Sequence, residues 1–352
     1  MELLSLSRLS PHALLSSVRE ESLIRSPVIH LRGVRKRYGK HLVLDGTSLE
    51  IGPGVTGLLG PNGSGKSTLI KGLMGLVSIE GGEGEILGHP WPREARGIRD
   101  LIGYLPEDDC YVAGLQGVEA VQLAGRLSGL ERMEALRRSH EVMDFCDIGQ
   151  ERYRQVETYS TGMRQKLKFA QTLVHDPPLI ILDEPTTGLD PSQRDALLNR
   201  VRTLAQQHEK TILISTHILP DVRQVCDAVV ILAGGIVRVS ASLEQLSQPV
   251  RPGLSVWLAA GAEAFTELLS SRGLPWSQQP RGEIQLEGMQ HADASQIWEM
   301  AASSGATIRR LEPARASIEQ IFMDVVRQSQ GATPGRPAVS SSIDSEGSSA
   351  TD

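Results

Sequence analysis

A glycine-rich segment of nine residues ends in a lysine and two hydroxyl side chains: Gly60-Pro61-Asn62-Gly63-Ser64-Gly65-Lys66-Ser67-Thr68. The apolar run 55–59 before it predicts a buried strand, and the apolar spacing after it predicts a helix. In this context the backbone N–H groups of the loop surround phosphate groups, and the helix N-terminus adds positive charge. Lys66 is a cation for the β- and γ-phosphate oxygens, and the Ser67 hydroxyl is a ligand for Mg²⁺. The segment, which we call the phosphate loop, predicts a site for a nucleoside triphosphate with Mg²⁺.

An acidic pair, Asp183 and Glu184, follows the apolar run 179–182. Four apolar residues in succession are typical of a parallel strand that is buried on both faces. An acidic pair at the end of such a strand is often only a helix-capping loop. With a phosphate loop upstream, Asp183 becomes a carboxylate for Mg²⁺. Glu184 then lies where a general base can polarise an attacking water.

The segment Tyr159-Ser160-Thr161-Gly162-Met163 predicts the start of a second amphipathic helix. Ser160 is a good N-cap for it, and an ordinary helix cap would account for the residue. A helix N-terminus with free N–H groups is also an anion site. One nucleotide already has its phosphate cradle at Lys66. A second anion site therefore predicts a nucleotide held by another chain, and hence a dimer.

Two further segments follow in order, Gly188-Leu189-Asp190 and Ser215-Thr216-His217. The ordered set resembles the ATP-binding cassette (ABC) ATPases, the nucleotide-driven subunits of ABC transporters, over roughly residues 28–245. The 159–163 segment resembles the family's signature motif in the form found in bacterial exporter ATPases; the commonest form, Leu-Ser-Gly-Gly-Gln, shares only Ser160 and Gly162. The resemblance implies ATP hydrolysis with Mg²⁺ by a head-to-tail dimer of like or unlike subunits. Each ATP would lie between the Lys66 loop of one subunit and the Ser160 helix of the other.

The resemblance also implies roles for five more residues. His217 matches the switch histidine, which contacts the γ-phosphate and orients the base, although a lone histidine is more often structural. Asp190 lies in the segment that crosses the family's dimer interface. Tyr38 matches the aromatic that stacks on adenine, and Val43 is expected to line the same pocket. Glu107 stands where the family has a glutamine that touches Mg²⁺, and a carboxylate is also a suitable ligand for that cation.

Bulk composition agrees with an intracellular enzyme. The net charge of −6 and the pI of about 5.9 argue against nucleic acid as the main partner. The cysteines, at 110, 146 and 226, lack paired or metal-binding spacing, which suits a reducing cytosol. No apolar run reaches the roughly 18 residues of a membrane helix, and residues 1–27 lack the pattern of a signal peptide. We expect a location at the cytoplasmic face of the cell membrane, through a separate permease subunit.

The predicted fold is α/β, a phosphate-loop ABC ATPase core with a helical subdomain and a small C-terminal α+β accessory domain. Pro249, Pro252 and Gly253 mark a linker, and Ser317 with Gln320 predicts a capping box before the last helix. The predicted division is an extension at 1–27, the ATP-binding domain at 28–245 with its helical subdomain at about 107–172, the accessory domain at 250–328 and a disordered tail at 329–352.

Two functions from different classes fit this division. One is the ATPase subunit of an ABC transporter, an exporter by its signature motif; the other is a soluble ABC ATPase acting on nucleic acid or ribosomes. Soluble forms usually carry two cassettes in one chain, or a long coiled coil inserted between the phosphate loop and the signature motif. This chain has one cassette, and the 95 residues (160 minus 65) from Gly65 to Ser160 are too few for such an insertion. A phosphate-loop kinase would not need Ser160 and Gly162. The transporter subunit is favoured, with a permease docking after Glu107, at Tyr111, Val112 and Leu115.

Overall fold

The computed structural model describes residues 27–247, 253–278, 282–289, 293–314 and 318–331. The predicted N-terminal extension and nearly all of the predicted tail lie outside these residues, as do Pro249, Pro252 and Ser317. The first part of the described chain contains β1 Ile29–Tyr38, β2 His41–Ile51, β3 Val55–Leu59, α1 Lys66–Leu73, β4 Gly81–Ile86, β5 His89–Trp91, α2 Ala95–Asp100 and β6 Ile102–Leu105.

A helical region follows, with α3 Gly117–Leu127, α4 Arg132–Phe145, 3₁₀ turns at Gln150–Tyr153 and Val156–Thr158, and α5 Thr161–Leu173. The helical subdomain predicted at about 107–172 is mostly helical in the structure. Its first two helices, α3 and α4, are separated at Gly129, which has a φ of 94° and ends α3 in the left-handed conformation that glycine adopts readily.

Strand and helix alternation resumes with β7 Leu179–Asp183, α6 Pro191–Gln207, β8 Thr211–Ser215, α7 Leu219–Val225, β9 Ala228–Ala233, β10 Ile236–Ser242 and α8 Leu243–Ser247. These strands build a central sheet of order β10-β9-β3-β8-β7-β6, parallel from β9 to β6. Because β3, β7 and β8 are parallel neighbours, the loops after their carboxyl ends meet at one edge of the sheet. This edge carries the phosphate loop, the acidic pair and His217.

Both faces of the central sheet are buried, as the run 179–182 predicted. Ile180 and Leu182 belong to a large core shared with the helical region, whereas Leu179 and Ile181 belong to a second core. The second core is closed by an antiparallel sheet of order β2-β1-β4-β5. Trp91 of that sheet donates from Nε1 to the carbonyls of Gly72 (3.2 Å) and Leu73 (3.1 Å), which anchors the far end of α1.

The C-terminal part contains β11 Gly253–Ala260, α9 Ala262–Ser271, β12 Trp276–Gln278, β13 Ile284–Glu287, α10 Ala294–Ser304, β14 Thr307–Pro313 and α11 Ile318–Gly331. The strands form an antiparallel sheet of order β12-β13-β11-β14 with a core of its own.

Helix α11 packs in a different place from the one predicted, since the predicted domain division put it in the accessory domain at 250–328. Ile318, Ile321, Phe322 and Val325 pack against the large core of the ATP-binding part, and Glu319 pairs with Arg223 of α7. The spacing i, i+3, i+4, i+7 puts these apolar side chains on one stripe, which the surface of the larger core covers. The helix also continues to residue 331, past the predicted start of the tail.

Among the helices that the structure describes, none combines the length and the apolar character needed to cross a membrane.

Candidate functional site

The phosphate loop lies between β3 and α1 and depends on its glycines. Gly65 is the N-cap of α1 with a φ of 104°, and Gly63 has a φ of 79°, both in the left-handed region. A Cβ on Gly60 would overlap the Leu232 carbonyl and the Ser64 hydroxyl. The loop is therefore closely fitted against the end of the sheet, with the N-terminus of α1 at its end.

Lys66 is held over this loop. Its Nζ donates to the Gly60 carbonyl at 2.8 Å, and the residue is buried. Burial lowers the pKa of Lys66, while the negative charges of Glu184, Asp183 and Glu107 act in the opposite direction. The ammonium group thus lies among three carboxylates at the mouth of the loop, where a phosphate would bind.

Several buried polar atoms around the loop have no hydrogen-bond partner among the described residues. They are Oγ of Ser64, Oδ1 of Asp183, Oε2 of Glu184 and Oγ of Ser215. Buried polar groups are rarely left unpaired without a functional reason. Burial raises the pKa of Asp183, and the neighbouring hydroxyls of Ser215 and Ser67 oppose this shift. The site is therefore suited to a ligand that brings both positive charge and hydrogen-bonding groups.

Glu184 and His217 form a pair at the edge of the site. Glu184 is buried and has a φ of 49°, a conformation that costs energy for a side chain other than glycine. Its backbone N–H donates to the Ser215 carbonyl at 2.9 Å. Its Oε1 lies 2.9 Å from His217 Nδ1, and the histidine side chain is 58% exposed. The structure thus brings the predicted base and the predicted switch residue into contact.

The predicted metal ligands surround the same end of the loop. Ser67 lies beside the Asp183 carboxyl, and Glu107 lies near enough to Lys66 to influence its pKa. The described residues contain no cluster of three His, Cys, Asp or Glu side chains that could hold a metal ion by themselves. A magnesium ion here would need phosphate oxygens as further ligands, as it does in phosphate-transferring enzymes. The residues present fit such an ion.

Ser160 caps α5, as predicted: its hydroxyl accepts a hydrogen bond from the Met163 backbone N–H at 3.3 Å. Ser160 is exposed, whereas a Cβ on Gly162 would overlap the Gln193 side chain. Among the described residues, no hydrogen bond connects Ser160 to the phosphate loop of its own chain. The predicted second anion site is therefore separate from the predicted first one.

Asp190 caps α6 beside this helix start. Its Oδ1 accepts from the Gln193 backbone N–H at 2.9 Å. A Cβ on Gly188, which has a φ of 77°, would lie 3.3 Å from the Thr161 side chain. The Asp190 segment and the start of α5 thus form one surface.

The two residues predicted to bind adenine lie on the hairpin of β1 and β2. Tyr38 is 48% exposed, and the Lys36 ammonium lies 4.9 Å from its ring centroid. Val43 borders the phosphate loop, because its carbonyl and side chain would touch a Cβ on Gly65. Both adenine-binding roles stay predictions.

Comparison with known proteins agrees with this geometry. The family model described as ABC transporter matches residues 44–187. The uncharacterized ABC transporter ATP-binding protein YxlF of Bacillus subtilis is 31% identical over 304 residues, which cover 85% of this chain and 99% of the relative. The chain belongs to the ABC transporter ATP-binding proteins. This ABC protein is also 36% identical to the Nod factor export ATP-binding protein I of Cupriavidus metallidurans over 209 residues, 59% of the chain and 69% of the relative.

A solved structure shares the fold of this ABC protein. The ATP-binding subunit of an ABC transporter superimposes with a TM-score of 0.57 and 30% identity, over 62% of this chain and 91% of that one. The predicted α/β ABC ATPase fold is thereby confirmed. The protein is an ATP-binding and ATP-hydrolysing subunit of a transporter.

Two features of this ABC site were missed from the sequence. Ser215 faces Asp183, because the two residues are partners in the parallel register of β8 and β7. Lys168 and Arg164 of α5 contact the loop that carries Glu107. The spacing of four residues from Ser160 to Arg164 to Lys168 was the available signal, since it places all three on one helix face.

Proposed function

We propose that this protein powers export through a separate membrane permease, as a dimer whose two ATP sites are each shared between subunits. The observation that carries the proposal is the contact of Glu184 with His217 beside Lys66 and Asp183. Several buried polar atoms there have no hydrogen-bond partner among the described residues and could bind a ligand. Relatives named as Nod factor export proteins support the direction of transport.

In the proposed reaction, Lys66 and the backbone N–H groups of the phosphate loop bind the β- and γ-phosphates of ATP. Ser67, Asp183 and Glu107 would hold Mg²⁺, which would neutralise charge on the phosphate oxygens. Glu184 accepts a proton from the attacking water, and His217 holds the Glu184 carboxylate in place. Tyr38 and Val43 contact the adenine.

The dimer follows from the position of Ser160. Helix α5 has 13 residues and its capping serine is exposed. The N–H groups at such a helix end bind anions. Because this end is separate from the phosphate loop of its own chain, it would bind the ATP of a second subunit. Asp190, on the same surface as Ser160, would lie at the contact between the subunits.

The permease surface is proposed beside the Glu107 loop. ABC transporter ATP-binding subunits work with membrane permease partners. Tyr111 and Val112 are exposed by 39% and 55%, as expected for a docking loop. The predicted docking role of Leu115 is wrong, because this residue packs on the large core and is only partly exposed. Behind the loop is a groove of about 310 Å³, lined by Tyr104, Cys110, Ala124, Gln171, Thr172 and His175.

Co-purification tests this function. We expect a tagged chain, recovered from detergent-solubilised membranes of its own cells, to bring an integral membrane protein with it in stoichiometric amount. Tyr111→Asp should abolish this recovery while sparing ATP binding, because it places a charge on an apolar contact. Tyr153→Asp is the control, since Tyr153 is also exposed but lies elsewhere in the helical region.

Equal recovery with Tyr111→Asp would place the permease contact elsewhere. Recovery of ribosomes or DNA in place of a membrane protein would favour the soluble ABC ATPase. A permease at the membrane would also put this subunit at the cytoplasmic face.

A further inference from the structure

One face of α5 is directed at the loop that carries Glu107. Ser160, Arg164 and Lys168 follow each other at intervals of four residues, so they lie on the same side of the helix. Arg164 pairs with Asp109 at 3.3 Å and lies 5.1 Å from the ring centroid of Tyr111. Ser160 begins this face, and Lys168 lies about 12 Å further along the helix axis.

Lys168 makes the closest connection to the loop. Its Nζ donates to three successive backbone carbonyls, those of Pro106 (3.1 Å), Glu107 (3.1 Å) and Asp108 (3.3 Å). An ammonium group has three N–H donors, so each one has an acceptor. Lys168 is only 5% exposed, and its nearest negative charge is Asp109 Oδ1 at 3.8 Å. The loop carbonyls and Asp109 thus compensate the burial of this charge.

Apart from Arg164 and Lys168, few contacts hold this loop. Residues 107–113 are exposed and contain no helix or strand. Within the described chain they make no backbone-to-backbone hydrogen bond. Lys168 is therefore the main hydrogen-bond donor to the backbone at Glu107 and limits where this residue can lie, within electrostatic reach of Lys66.

We propose that Lys168 is the positioning residue that sets the Glu107 carboxylate at the metal end of the ATP site. Through it, α5 and the loop move as one body, so that a displacement at Ser160 reaches Glu107. The inference rests on the proposed function, in which Glu107 is a ligand for Mg²⁺.

The first readout is the rate at which chymotrypsin cleaves the folded full-length protein after Tyr111, which lies in the exposed loop, followed by mass spectrometry. Lys168→Met keeps the length of the side chain and removes its three donors. We expect this cleavage to be at least about tenfold faster in the variant, because the loop must leave its contacts to enter the protease and a hydrogen bond to a charged donor contributes more than that factor. Lys168→Arg should restore the slow cleavage. Lys166→Met is the matched control, since Lys166 lies on the same helix and pairs with Asp147 instead.

The second readout is the Mg²⁺ concentration that gives half-maximal ATPase activity. We expect it to rise about tenfold in Lys168→Met, as is typical when a residue that orients a metal ligand is removed, and to stay unchanged in Lys166→Met. Unchanged loop cleavage or an unchanged Mg²⁺ requirement in Lys168→Met would overturn the proposal. If that variant does not fold, Lys168→Gln decides, because its shorter side chain cannot reach all three carbonyls: loop cleavage as slow as in the wild type would equally overturn the proposal.

Glu107→Ala, which removes the ligand oxygens, separates this inference from the function beneath it. If Glu107→Ala leaves the Mg²⁺ requirement unchanged, the metal role of Glu107 is wrong. Cleavage of the loop in Lys168→Met still reports whether the lysine fixes the loop.

Discussion

At the scale of single residues, the proposed function assigns phosphate binding and the activation of water to two different groups. Lys66 contacts its own loop, whereas Glu184 is held from two sides, by the Ser215 carbonyl and by His217. The left-handed backbone of Glu184 is unfavourable by about 1–3 kcal/mol for such a residue. The surrounding structure maintains this conformation, which directs the carboxylate toward the edge of the sheet where the phosphate loop lies.

The first prediction concerns Glu184→Gln. The amide keeps the shape and the contact with His217 but cannot accept a proton from water. We expect ATP hydrolysis to fall by about 10²–10⁴-fold while ATP affinity stays near that of the wild type. Glu209→Gln is the control, because Glu209 also has a positive φ, of 50°, and is exposed away from the site. Hydrolysis by Glu184→Gln at the wild-type rate would show that another group is the base.

The second prediction concerns Asp183→Asn and pH. Burial raises the pKa of Asp183 above its value in the unfolded chain. Ionisation of Asp183 therefore lowers the stability of the folded protein. This loss is absent at pH values below the pKa of Asp183 in the unfolded chain, and it grows as pH rises until pH exceeds the pKa in the folded protein. At pH 7 the amide should stabilise the protein by about 0.5–2 kcal/mol while removing Mg²⁺-dependent hydrolysis.

Denaturation of both forms from pH 3 to pH 8 checks this prediction. The advantage of the Asp183→Asn variant should shrink as pH falls. A gain in stability that does not depend on pH, or no gain at pH 7, would contradict the conclusion that burial raises the pKa of Asp183.

The sequence was sufficient for the parts of the site whose chemistry is local. The phosphate loop, the acidic pair and the cap at Ser160 each lie within a few neighbouring residues. Ser215 could not be found this way, because strand register brings it to the site. For Lys168 the only local signal was its spacing from Ser160 and Arg164, and helix packing brings it to the loop of Glu107. Gly162 is a related case: a Cβ at this position would require the Gln193 side chain to move, so a substitution there changes packing within the subunit as well as any dimer contact.

At the scale of elements, α11 shows what periodicity predicts and what it omits. The spacing of Ile318, Ile321, Phe322 and Val325 predicted an amphipathic helix, and the structure contains it. The same stripe could have covered the small C-terminal sheet or the larger core. Only the tertiary fold selects the larger core, where α11 packs beside β9 and α7. Because α7 follows His217 closely in the chain, α11 supports the part of the core that carries this residue.

The third prediction tests that placement. Phe322→Ala should lower the free energy of unfolding of the ATP-binding part by about 2 kcal/mol, since it removes a partly buried ring. Met323→Ala, at the next position and 48% exposed, should change it by less than about 0.5 kcal/mol. Thermal unfolding with and without ATP identifies the transition that belongs to the ATP-binding part. A Phe322→Ala effect confined to a transition that ATP does not shift would place the helix on the small domain.

At the scale of the whole molecule, the two proposed anion sites are separate: among the described residues no hydrogen bond joins Ser160 to the phosphate loop of its own chain. The phosphate loop lies at the edge of the central sheet, and the exposed Ser160 begins a helix whose described contacts lead to the Glu107 loop and to α6. Two copies placed head to tail would complete both sites. The central claim is therefore that ATP is bound between two subunits.

Light scattering of purified protein with ATP and Mg²⁺ tests this claim most directly. Glu184→Gln, which should not consume the ATP, is predicted to change from a monomer of 38.2 kDa to a dimer of twice that mass. Adding Ser160→Asp should prevent the dimer, because its carboxylate repels the γ-phosphate of the other subunit's ATP. Adding Ser160→Asn, an equally good helix cap without the charge, should preserve it. A monomer with bound ATP in Glu184→Gln, together with wild-type hydrolysis that is proportional to protein concentration at every dilution, would contradict the shared site.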